Sequence, residues 1–363
     1  MRLSAARRAA ADAPRWRFLL MRDPQRLLEA ANRLAREDRA ADALRLLTRA
    51  NRQRPNVDVA SRIVDLRFEA FRQTQWADEP RWSADIPDLF PGAGIPEVTR
   101  EQLSSEHLRS AIAHHGSLLV RGFAGQTAAD RLIRDIECAF EACAAQGDDA
   151  SPLRGWFRPY PYDTTSNRSS KVLNGCVLAV DSPPAMFDVV DVFEQAGVGR
   201  LAHEFFGEPP AALAKKWSLR KVLHDTNTGD WHQDGAFMGE DIRSLNIWLT
   251  LSHCGDTAPG LDVVARRVDH VLETGTEGAY FQWSIGAPVA ERAAAGSVAR
   301  PVFEAGDALL FDHLCVHRTA VDPGMTDDRY AIEAWFLAPS TYGAMLGTRE
   351  HGYSPRDQIP IFY

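Results

Sequence analysis

The chain has 363 residues, of which 45% are hydrophobic and 25% are charged, and its formal net charge is −8. This composition is ordinary for a soluble globular protein with a sizeable core. The absence of an apolar run of about 18 residues argues against a transmembrane helix. The five cysteines form no CxxC pair, and no secretory hydrophobic segment opens the chain. We therefore expect a cytoplasmic protein with free thiols and no disulfide framework.

The charge is distributed unevenly along the chain. Residues 1–75 carry 17 arginines, no lysine and 9 acidic residues, whereas the remainder carries 24 basic and 40 acidic residues. A basic arm on an acidic body could contact an anionic partner, or it could be the solvated surface of arginine-rich helices. The first 22 residues, with six arginines and one acidic residue, also have a composition like that of a transit peptide. We expect no nucleic-acid partner and no membrane partner.

The N-terminal region, residues 1–75, is predicted to be helical. Between residues 23 and 74, apolar residues recur at helical spacing. Part of this pattern resembles one tetratricopeptide repeat, namely Leu27, Ala31, Leu34, Ala40, Ala43, Leu47, Ala50 and Pro55. Since stacked repeats need about three copies for stability, we expect a helical hairpin that packs on something else. It is either a structural cap or the site of a protein partner.

The next part of the chain mixes helix, strand and loop signals. Residues 76–97 are rich in proline and lack periodicity, which indicates a linker. The pattern predicts a helix over 103–116, a strand over 117–123 and a second helix over 127–146. Residues 154–165, RGWFRPYPYDTT, combine aromatic residues with prolines. They form either a lid over a pocket or an ordinary packed surface loop.

From about Ala211 onward, short β-rich runs replace the helical pattern. These runs are separated by Gly, Pro, Asp and Thr: KWSLRKVLH, SLNIWLTLSH, GLDVVARR, ALLFDHL and RYAIEAWFLA. Many short strands with turn residues between them are typical of an all-β sandwich or barrel.

The stretch WHQDGAF, residues 231–237, contains the first candidate metal ligands. If it enters a strand, His232 and Asp234 point to the same face, because side chains alternate along a strand. One imidazole and one carboxylate are two of the three ligands in the 2-His-1-carboxylate triad that binds non-haem Fe(II). Taken alone, such a pair is more often a hydrogen-bonded pair on the surface. A third ligand is needed to distinguish a metal site from such a pair.

That third ligand is expected in the segment that contains His313 and His317. We prefer His317, which lies 85 residues after His232 and is followed twelve residues later by Arg329. Iron held by three protein groups keeps three positions open, and a 2-oxo acid fills two of them. An arginine can then bind the far carboxylate of that acid in bidentate form. His313 is expected to be a packed residue or a support for the site.

These segments resemble the phytanoyl-CoA dioxygenase superfamily of iron- and 2-oxoglutarate-dependent oxygenases. The matching pieces are WHQDG, GDALLFDHLCVHRT and the arginine of DDRYAIEAWF, with looser matches in SLNIWLTL and APGLDVVARRVDH. The resemblance covers roughly residues 100–340 and implies a mainly β fold with flanking helices. Its core would be a double-stranded β-helix, a jelly-roll or cupin-like barrel. We therefore expect an oxygenase domain over residues 98–345 and a C-terminal tail over residues 346–363.

The resemblance also implies a role for each matching residue. His232, Asp234 and His317 match the iron ligands, and Arg329 matches the arginine that binds the distal carboxylate of 2-oxoglutarate. The other matches to residues around the co-substrate are Thr319, Trp248 and Lys171. The chain departs from the family at residues 265–270, where ARRVDH stands in place of the usual P-G-S-H. This departure bears on loop shape and substrate choice and leaves the iron site untouched.

The activity implied by the resemblance uses Fe(II), 2-oxoglutarate and O2. We expect hydroxylation of an aliphatic C–H group in a small molecule or carrier-linked metabolite, with release of succinate and CO2. Related halogenases have a small residue in place of the carboxylate, so the presence of Asp234 argues against halogenation. Desaturation, ring closure and epimerisation by the same enzyme stay open, because the pose of the substrate decides among them. Two alternatives to an oxygenase also remain. One is a non-catalytic binding or scaffold protein that acts through its basic helical N-terminus, and the other is a zinc hydrolase on a cupin-like barrel.

Overall fold

The computed structural model describes residues 23–76, 85–92, 94–148, 150–161, 168–343 and 359–363, without the side chains of residues 169 and 170. The chain forms two compact units, Met1–Thr74 and Gln75–Tyr363. The transit-peptide-like segment lies outside the described residues, as does part of the loop expected over residues 154–165. In the described ranges, no helix is both long enough and apolar enough to cross a membrane. All five cysteines are free.

The first unit contains three helices: α1 (Pro24–Arg36), α2 (Ala40–Gln53) and α3 (Val57–Gln73). Helix α1 begins where the Asp23 side chain accepts a hydrogen bond from the Gln25 backbone N–H, 3.0 Å away. The hairpin predicted from the sequence is α1 with α2, and most of the apolar residues that define it, among them Ala31 and Leu47, are buried. Helix α3 covers the apolar face that two helices alone would leave exposed to water.

The second unit is built around β-strands with helices between them. Its helices are α4 (Ser105–His115), α5 (Gln126–Ala144), α6 (Arg168–Leu173), α7 (Pro183–Ala196), α8 (Val198–Phe206), α9 (Gly235–Met238) and α10 (Ala287–Ala294). Its strands are β1 (Glu97–Thr99), β2 (Ser117–Arg121), β3 (Cys176–Leu178), β4 (Ala211–Leu213), β5 (Ser218–Val222), β6 (Ser244–Thr250), β7 (Gly260–Val264), β8 (Val298–Ala299), β9 (Ala308–Phe311), β10 (His317–Ala320), β11 (Arg329–Leu337) and β12 (Pro360–Phe362).

The strands form two sheets. The major sheet has the order β1-β2-β9-β6-β11-β4-β12, and β5 also pairs with β11 and carries β3 at its other edge. The minor sheet has the order β10-β7-β8. All pairs in both sheets are antiparallel except β1 with β2. The predicted mainly β core with flanking helices is confirmed.

The central strand β11 determines which side chains face the cavity between the sheets. Glu333 on β11 is paired with Trp248 on β6, and Ala331 is paired with Arg220 on β5. Residues paired in register lie on the same face of a sheet, and residues two apart on one strand do so as well. Arg329, Glu333, Trp248 and Arg220 therefore share one face, and all four line the same cavity.

The opposite face of the major sheet is covered by helix α7. The ring of Phe193 on α7 lies 5.6 Å from that of Trp217 and 6.2 Å from that of Phe336. All three side chains are fully buried. The indole N–H of Trp217 also donates a hydrogen bond to the backbone carbonyl of Trp335, 2.9 Å away. This packing anchors β11 from behind and so fixes the residues on its cavity face.

The structure corrects the local geometry expected at WHQDGAF. Trp231 and His232 form isolated β-bridges instead of entering a strand. Asp234 then adopts helical backbone angles at the start of the one-turn helix α9. The two side chains converge because the chain turns between them, and strand alternation is not the cause. In the last segment, residues 344–358 lie outside the described residues, and β12 pairs with β4.

Candidate metal centre

His232 and His317 are joined by their backbones. The His232 N–H donates to the His317 carbonyl at 3.0 Å, and the His317 N–H donates to the His232 carbonyl at 3.1 Å. The two residues are thus directly opposite each other in an antiparallel bridge, and their ring centroids are 4.3 Å apart. This pairing brings two residues that are far apart in sequence to one point of the cavity.

Both imidazoles present the same nitrogen to the cavity. The Nδ1 atom of His232 lies 3.0 Å from the Asp230 carbonyl oxygen, and Nδ1 of His317 lies 3.1 Å from the Cys315 carbonyl oxygen. Because a carbonyl only accepts hydrogen bonds, each Nδ1 carries the proton and each Nε2 has a free lone pair. A metal-binding histidine is commonly oriented in this way. Burial, with His232 next to it, lowers the pKa of His317 to about 4, so the ring is neutral at physiological pH.

Asp234 completes the group. Its Oδ2 atom lies 4.0 Å from Nε2 of His317. One ligand atom from each of His232, Asp234 and His317 lies within 4.8 Å of the others, so the three could hold a metal ion. The side chain of Asp234 is buried, and its Oδ2 has no hydrogen-bond partner in the described structure. A buried carboxylate oxygen without a partner is costly, and a cation bound there would satisfy it.

The second oxygen of Asp234 forms an ion pair with Lys216. Lys216 also lies over the ring of Phe237, 4.4 Å from its centroid. Burial by itself raises the pKa of Asp234, but Lys216 and the two histidines outweigh it and hold this pKa below its ordinary value. Asp234 is therefore ionised, as a metal ligand must be. The lysine leaves one carboxylate oxygen for a metal.

The three residues line a cavity of about 490 Å³, a volume typical of small-molecule sites. Two other buried residues of this cavity also have polar atoms without partners: Nε of Arg329, and both amide atoms of Asn246. Together with Oδ2 of Asp234, these atoms point to ligands that make polar contacts. The cavity thus combines a candidate metal position with unsatisfied groups for an organic molecule.

Arg329 lines the cavity and is held in place by backbone carbonyls and an aromatic ring. Its Nη1 donates to the carbonyl oxygens of Pro259 and Gly260 at 3.2 and 2.8 Å. The guanidinium lies 5.3 Å from the ring centroid of Trp248, a distance within the range of cation–π contacts. Burial lowers the pKa of Arg329 to about 10, so the group stays positively charged at neutral pH. It is prepared to bind a carboxylate.

The remaining residues singled out from the sequence also reach this cavity. Thr319 on β10 and Lys171 on α6 both line it. The structure therefore brings all seven predicted site residues to one place. His313 lies apart from the group: its ring nitrogens contact Ser244 Oγ at 2.9 Å and the Glu240 carbonyl at 3.0 Å. Those contacts make it a packed residue, in line with the preference for His317.

Sequence reasoning missed several residues of the cavity. Lys216 and Arg220 come from the β-rich run KWSLRKVLH, which predicted a strand but gave no sign of which side chains face inward. Trp283 and Phe281 come from an irregular segment without any motif. Their rings are stacked, with centroids 4.9 Å apart and an interplanar angle of 6°. Only the alternation of KWSLRK, combined with a known cavity face, could have indicated Arg220.

Two facing sheets and a His–Asp–His group, of which Asp234 and His317 are buried and His232 is half-buried, define a class of protein, the mononuclear non-haem metal enzymes on a double-stranded β-helix. The sequence profile of the phytanoyl-CoA dioxygenase (PhyH) family matches residues 112–321, more than half of the chain. The chain belongs to this family and is a non-haem iron, 2-oxoglutarate-dependent oxygenase. The predicted family, fold and cofactors, Fe(II), 2-oxoglutarate and O2, are confirmed.

Several solved structures are similar to this chain. AviO1 from Streptomyces viridochromogenes Tue57 is 18% identical, with 66% of this chain and 96% of AviO1 covered and a TM-score of 0.44. EvdO2 from Micromonospora carbonacea var. aurantiaca, complexed with 2-oxoglutarate, is 16% identical, with 64% and 89% covered and a TM-score of 0.41. EctD from S. alaskensis, with 2-oxoglutarate and 5-hydroxyectoine, is 15% identical, with 73% and 88% covered and a TM-score of 0.46. No curated protein matches the sequence.

Proposed function

We propose that this oxygenase hydroxylates an aliphatic C–H group of a small molecule or carrier-linked metabolite and releases succinate and CO2. In this proposal His232, Asp234 and His317 bind Fe(II), and Arg329 binds the distal carboxylate of 2-oxoglutarate. Thr319, Trp248 and Lys171 are assigned to the surroundings of the co-substrate. Fe(II) with 2-oxoglutarate supplies the oxidising chemistry, in which one atom of O2 enters succinate and the other enters the substrate.

The protein's own groups have three tasks in this reaction. The backbone bridge between His232 and His317 holds both Nε2 lone pairs at the metal position. Lys216 keeps Asp234 ionised and occupies one of its oxygens. Arg329, fixed by two carbonyls and the face of Trp248, orients the co-substrate from its far end. Rigid positioning of this kind is the protein's main contribution when a cofactor carries the chemistry.

The observation that carries the proposal is the set of unpartnered buried atoms. Asp234 Oδ2 and Arg329 Nε lack partners in the described structure, and both residues line one cavity. A metal ion bound to Asp234 Oδ2 and a carboxylate bound to Arg329 Nε would give both atoms a partner. One 2-oxo acid that chelates the metal would supply this carboxylate at its far end. A zinc hydrolase would bind no such co-substrate, so Nε of Arg329 would still lack a hydrogen-bond partner.

The test is an anaerobic titration of the purified protein with Fe(II) and 2-oxoglutarate. We expect a weak visible charge-transfer band, which is lost in His232→Ala. Arg329→Gln should keep metal affinity but require much more 2-oxoglutarate to form the band. On admission of O2, the wild type should form succinate. Absence of both the band and succinate formation would contradict the proposal.

The hydroxylation itself needs a second measurement. With a turned-over substrate and labelled dioxygen, one labelled atom should enter the product as a hydroxyl group and the other should enter succinate. Succinate formation with a desaturated, cyclised or epimerised product would retain the oxygenase and overturn the hydroxylase assignment.

A further inference from the structure

The cavity carries more positive charge than the proposed function uses. Its described lining includes five cationic side chains and three carboxylates: Lys171, Lys215, Lys216, Arg220 and Arg329 against Asp230, Asp234 and Glu333. Lys215 and Lys216 have interaction partners of their own, and the proposed function assigns Lys171 and Arg329 to the co-substrate, which leaves Arg220. The dication Fe(II) and the dianion 2-oxoglutarate cancel each other, so binding both leaves the charge of Arg220 uncompensated. A partly enclosed cavity with an uncompensated charge favours a ligand of opposite sign.

Arg220 is the cation best placed to bind that ligand. It lies on β5 between Cys176 of β3 and Ala331 of β11, and both of these neighbours are small. The space above Arg220 on the cavity face is therefore not filled by the adjacent strands. Within the described residues, no carboxylate lies within ion-pair distance of its guanidinium and no carbonyl accepts a hydrogen bond from it. Arg220 thus retains its full hydrogen-bonding capacity for a ligand.

Arg220 is distinct from the group assigned to 2-oxoglutarate. Arg329 is fully buried and bound to two backbone carbonyls, whereas Arg220 is partly exposed. The two arginines are close enough for Arg220 to contribute, after burial, to the lowered pKa of Arg329. Two neighbouring guanidinium groups repel each other, and a second anion beside the co-substrate would relieve this repulsion.

An aromatic wall lies beside the candidate metal position. The ring of Trp283 contacts that of His232 edge-on at 5.8 Å and that of Phe237 at 5.9 Å. Phe281 stacks on the ring of Trp283 and is 46% exposed. Exposed aromatic rings at the rim of a cavity commonly contact the apolar part of a ligand. A substrate that lies on this wall has its apolar part next to the metal ligands.

We propose that the substrate is an amphipathic anion: its carboxylate or phosphate binds Arg220, and its apolar part lies against Trp283, where oxidation occurs. This inference rests on the proposed function for the position of the metal. The shared chemistry is an oxyanion held by a planar guanidinium fork, which suits carboxylate and phosphate equally. The need for this oxyanion distinguishes the substrate from the neutral or cationic metabolites that a cavity of the same volume would also admit.

The experiment uses Mn(II) as a paramagnetic, non-oxidising metal and three probes of matched shape: 3-phenylpropanoate, 2-phenylethyl phosphate and 3-phenylpropanamide. Binding to the full-length protein is followed by ligand NMR, with and without Mn(II) and 2-oxoglutarate. The variants are Arg220→Gln and Arg220→Lys. Arg200→Gln serves as the matched control, because Arg200 is exposed on α8 and lines no part of this cavity.

We expect at least one of the two oxyanions to bind about tenfold or more tightly than the amide, the effect of one charge-assisted contact. Arg220→Gln should reduce this binding to the level of the amide, Arg220→Lys should restore part of it, and Arg200→Gln should change nothing. The phenyl protons should be relaxed by Mn(II) more strongly than the protons next to the oxyanion. The oxyanion that binds more tightly shows whether the substrate's negative charge is a carboxylate or a phosphate.

Three results would overturn the inference. These are equal binding of amide and oxyanions, no Arg220-dependent binding of any probe, and an Arg220→Gln variant that weakens 2-oxoglutarate as much as the probes. The reverse pattern of proton relaxation would overturn the proposed orientation. Failure of the wild type to bind Mn(II) or 2-oxoglutarate contradicts the proposed function alone, because the metal-free titrations still measure the dependence on Arg220.

Discussion

His232 and His317 hold each other in place through a reciprocal pair of backbone hydrogen bonds of 3.0 and 3.1 Å. The link is part of the β-structure, so it exists whether or not a metal is bound. The two lone pairs are therefore positioned before a metal arrives, and metal binding has little ordering entropy to overcome. A preformed site of this kind allows metal affinity and folding stability to be tested separately.

The first prediction compares His317 with its neighbour His313. His317→Gln should weaken Mn(II) binding on the order of 100-fold or more, because it removes one of the three proposed ligands, with a small change in the free energy of unfolding. His313→Gln should do the opposite, because it disrupts buried contacts to Ser244 and Glu240, at a cost of about 1–3 kcal/mol. Mn(II) titration by EPR and urea denaturation measure the two effects. If only His313→Gln lost metal binding, His313 would be the metal-binding residue and His317 the packed residue, which contradicts the prediction.

The second prediction concerns Lys216, the ion-pair partner of Asp234. Lys216→Met leaves a buried carboxylate without its cation, so the metal-free protein should lose about 3–5 kcal/mol of stability. Bound Mn(II) supplies the missing positive charge, and the increase in Tm on adding Mn(II) should be larger in this variant than in the wild type. Lys221→Met is the control, since Lys221 pairs with Glu137 instead. An equal shift in wild type and Lys216→Met would contradict the role given to Lys216.

The third prediction tests the proposed role of Arg329 as the partner of the distal carboxylate of 2-oxoglutarate. Arg329→Lys keeps the charge but loses the planar fork, so the Kd of 2-oxoglutarate should rise by about 10- to 100-fold. Mn(II) affinity without 2-oxoglutarate should stay unchanged. Arg318→Lys provides the comparison, because Arg318 lies on β10 next to the site but pairs with Asp262. Calorimetric titration gives both constants, and equal losses in the two variants would refute a specific role for Arg329.

The fourth prediction follows from Asp135 on α5. Burial, followed by the negative charge of Asp188, raises the pKa of Asp135 to about 8. Between its ordinary value and this one, the folded protein holds a proton that the unfolded chain has released. Stability should therefore fall as pH rises from about 4 towards 8. Asp135→Asn should remove this loss and be more stable than the wild type at pH 9, as measured by urea denaturation.

The control for this prediction is Asp130→Asn, an exposed residue on the same helix. It should follow the wild type at pH 5 and at pH 9 in urea denaturation. If Asp135→Asn also follows the wild type at both values, Asp135 is ionised in the folded protein and the assigned proton is absent.

Much of the fold and the residues of the candidate centre could be predicted from the sequence, because both depend on local patterns. The runs around Trp248 and Arg329 have the alternation of strands, and the spacing from His232 to His317 follows a family pattern. The path of the chain at Asp234 could not be predicted, because its one-turn helix depends on tertiary hydrogen bonds such as Gly235 N–H to the His313 carbonyl, 2.8 Å. Local propensity contains no information about such contacts.

Lys216 and Arg220 were beyond prediction for a related reason. They lie four residues apart, Lys216 before β5 and Arg220 on it, and nothing in KWSLRK shows that both reach the same cavity. The inward orientation of Arg220 is decided by the register of β5 against β11, a pairing between segments about 110 residues apart. Helix α7, which covers the sheet from behind, was also missed, although its Pro183 at the first turn is a helix-start signal.

The pairing of β12 with β4 links residues 360–362 to the segment that leads to Lys216, next to the candidate metal centre. The N–H of Ala214, which lies two residues before Lys216, donates a hydrogen bond to the carbonyl of Ile359 at 2.9 Å. The ring of Tyr363 packs against that of Phe336 at 4.9 Å. Residues 359–363 thus hold the segment that carries Lys216 in place. Disruption of the contacts of residues 359–363 would therefore disturb the position of Lys216, although these residues lie more than forty positions from His317 in the sequence.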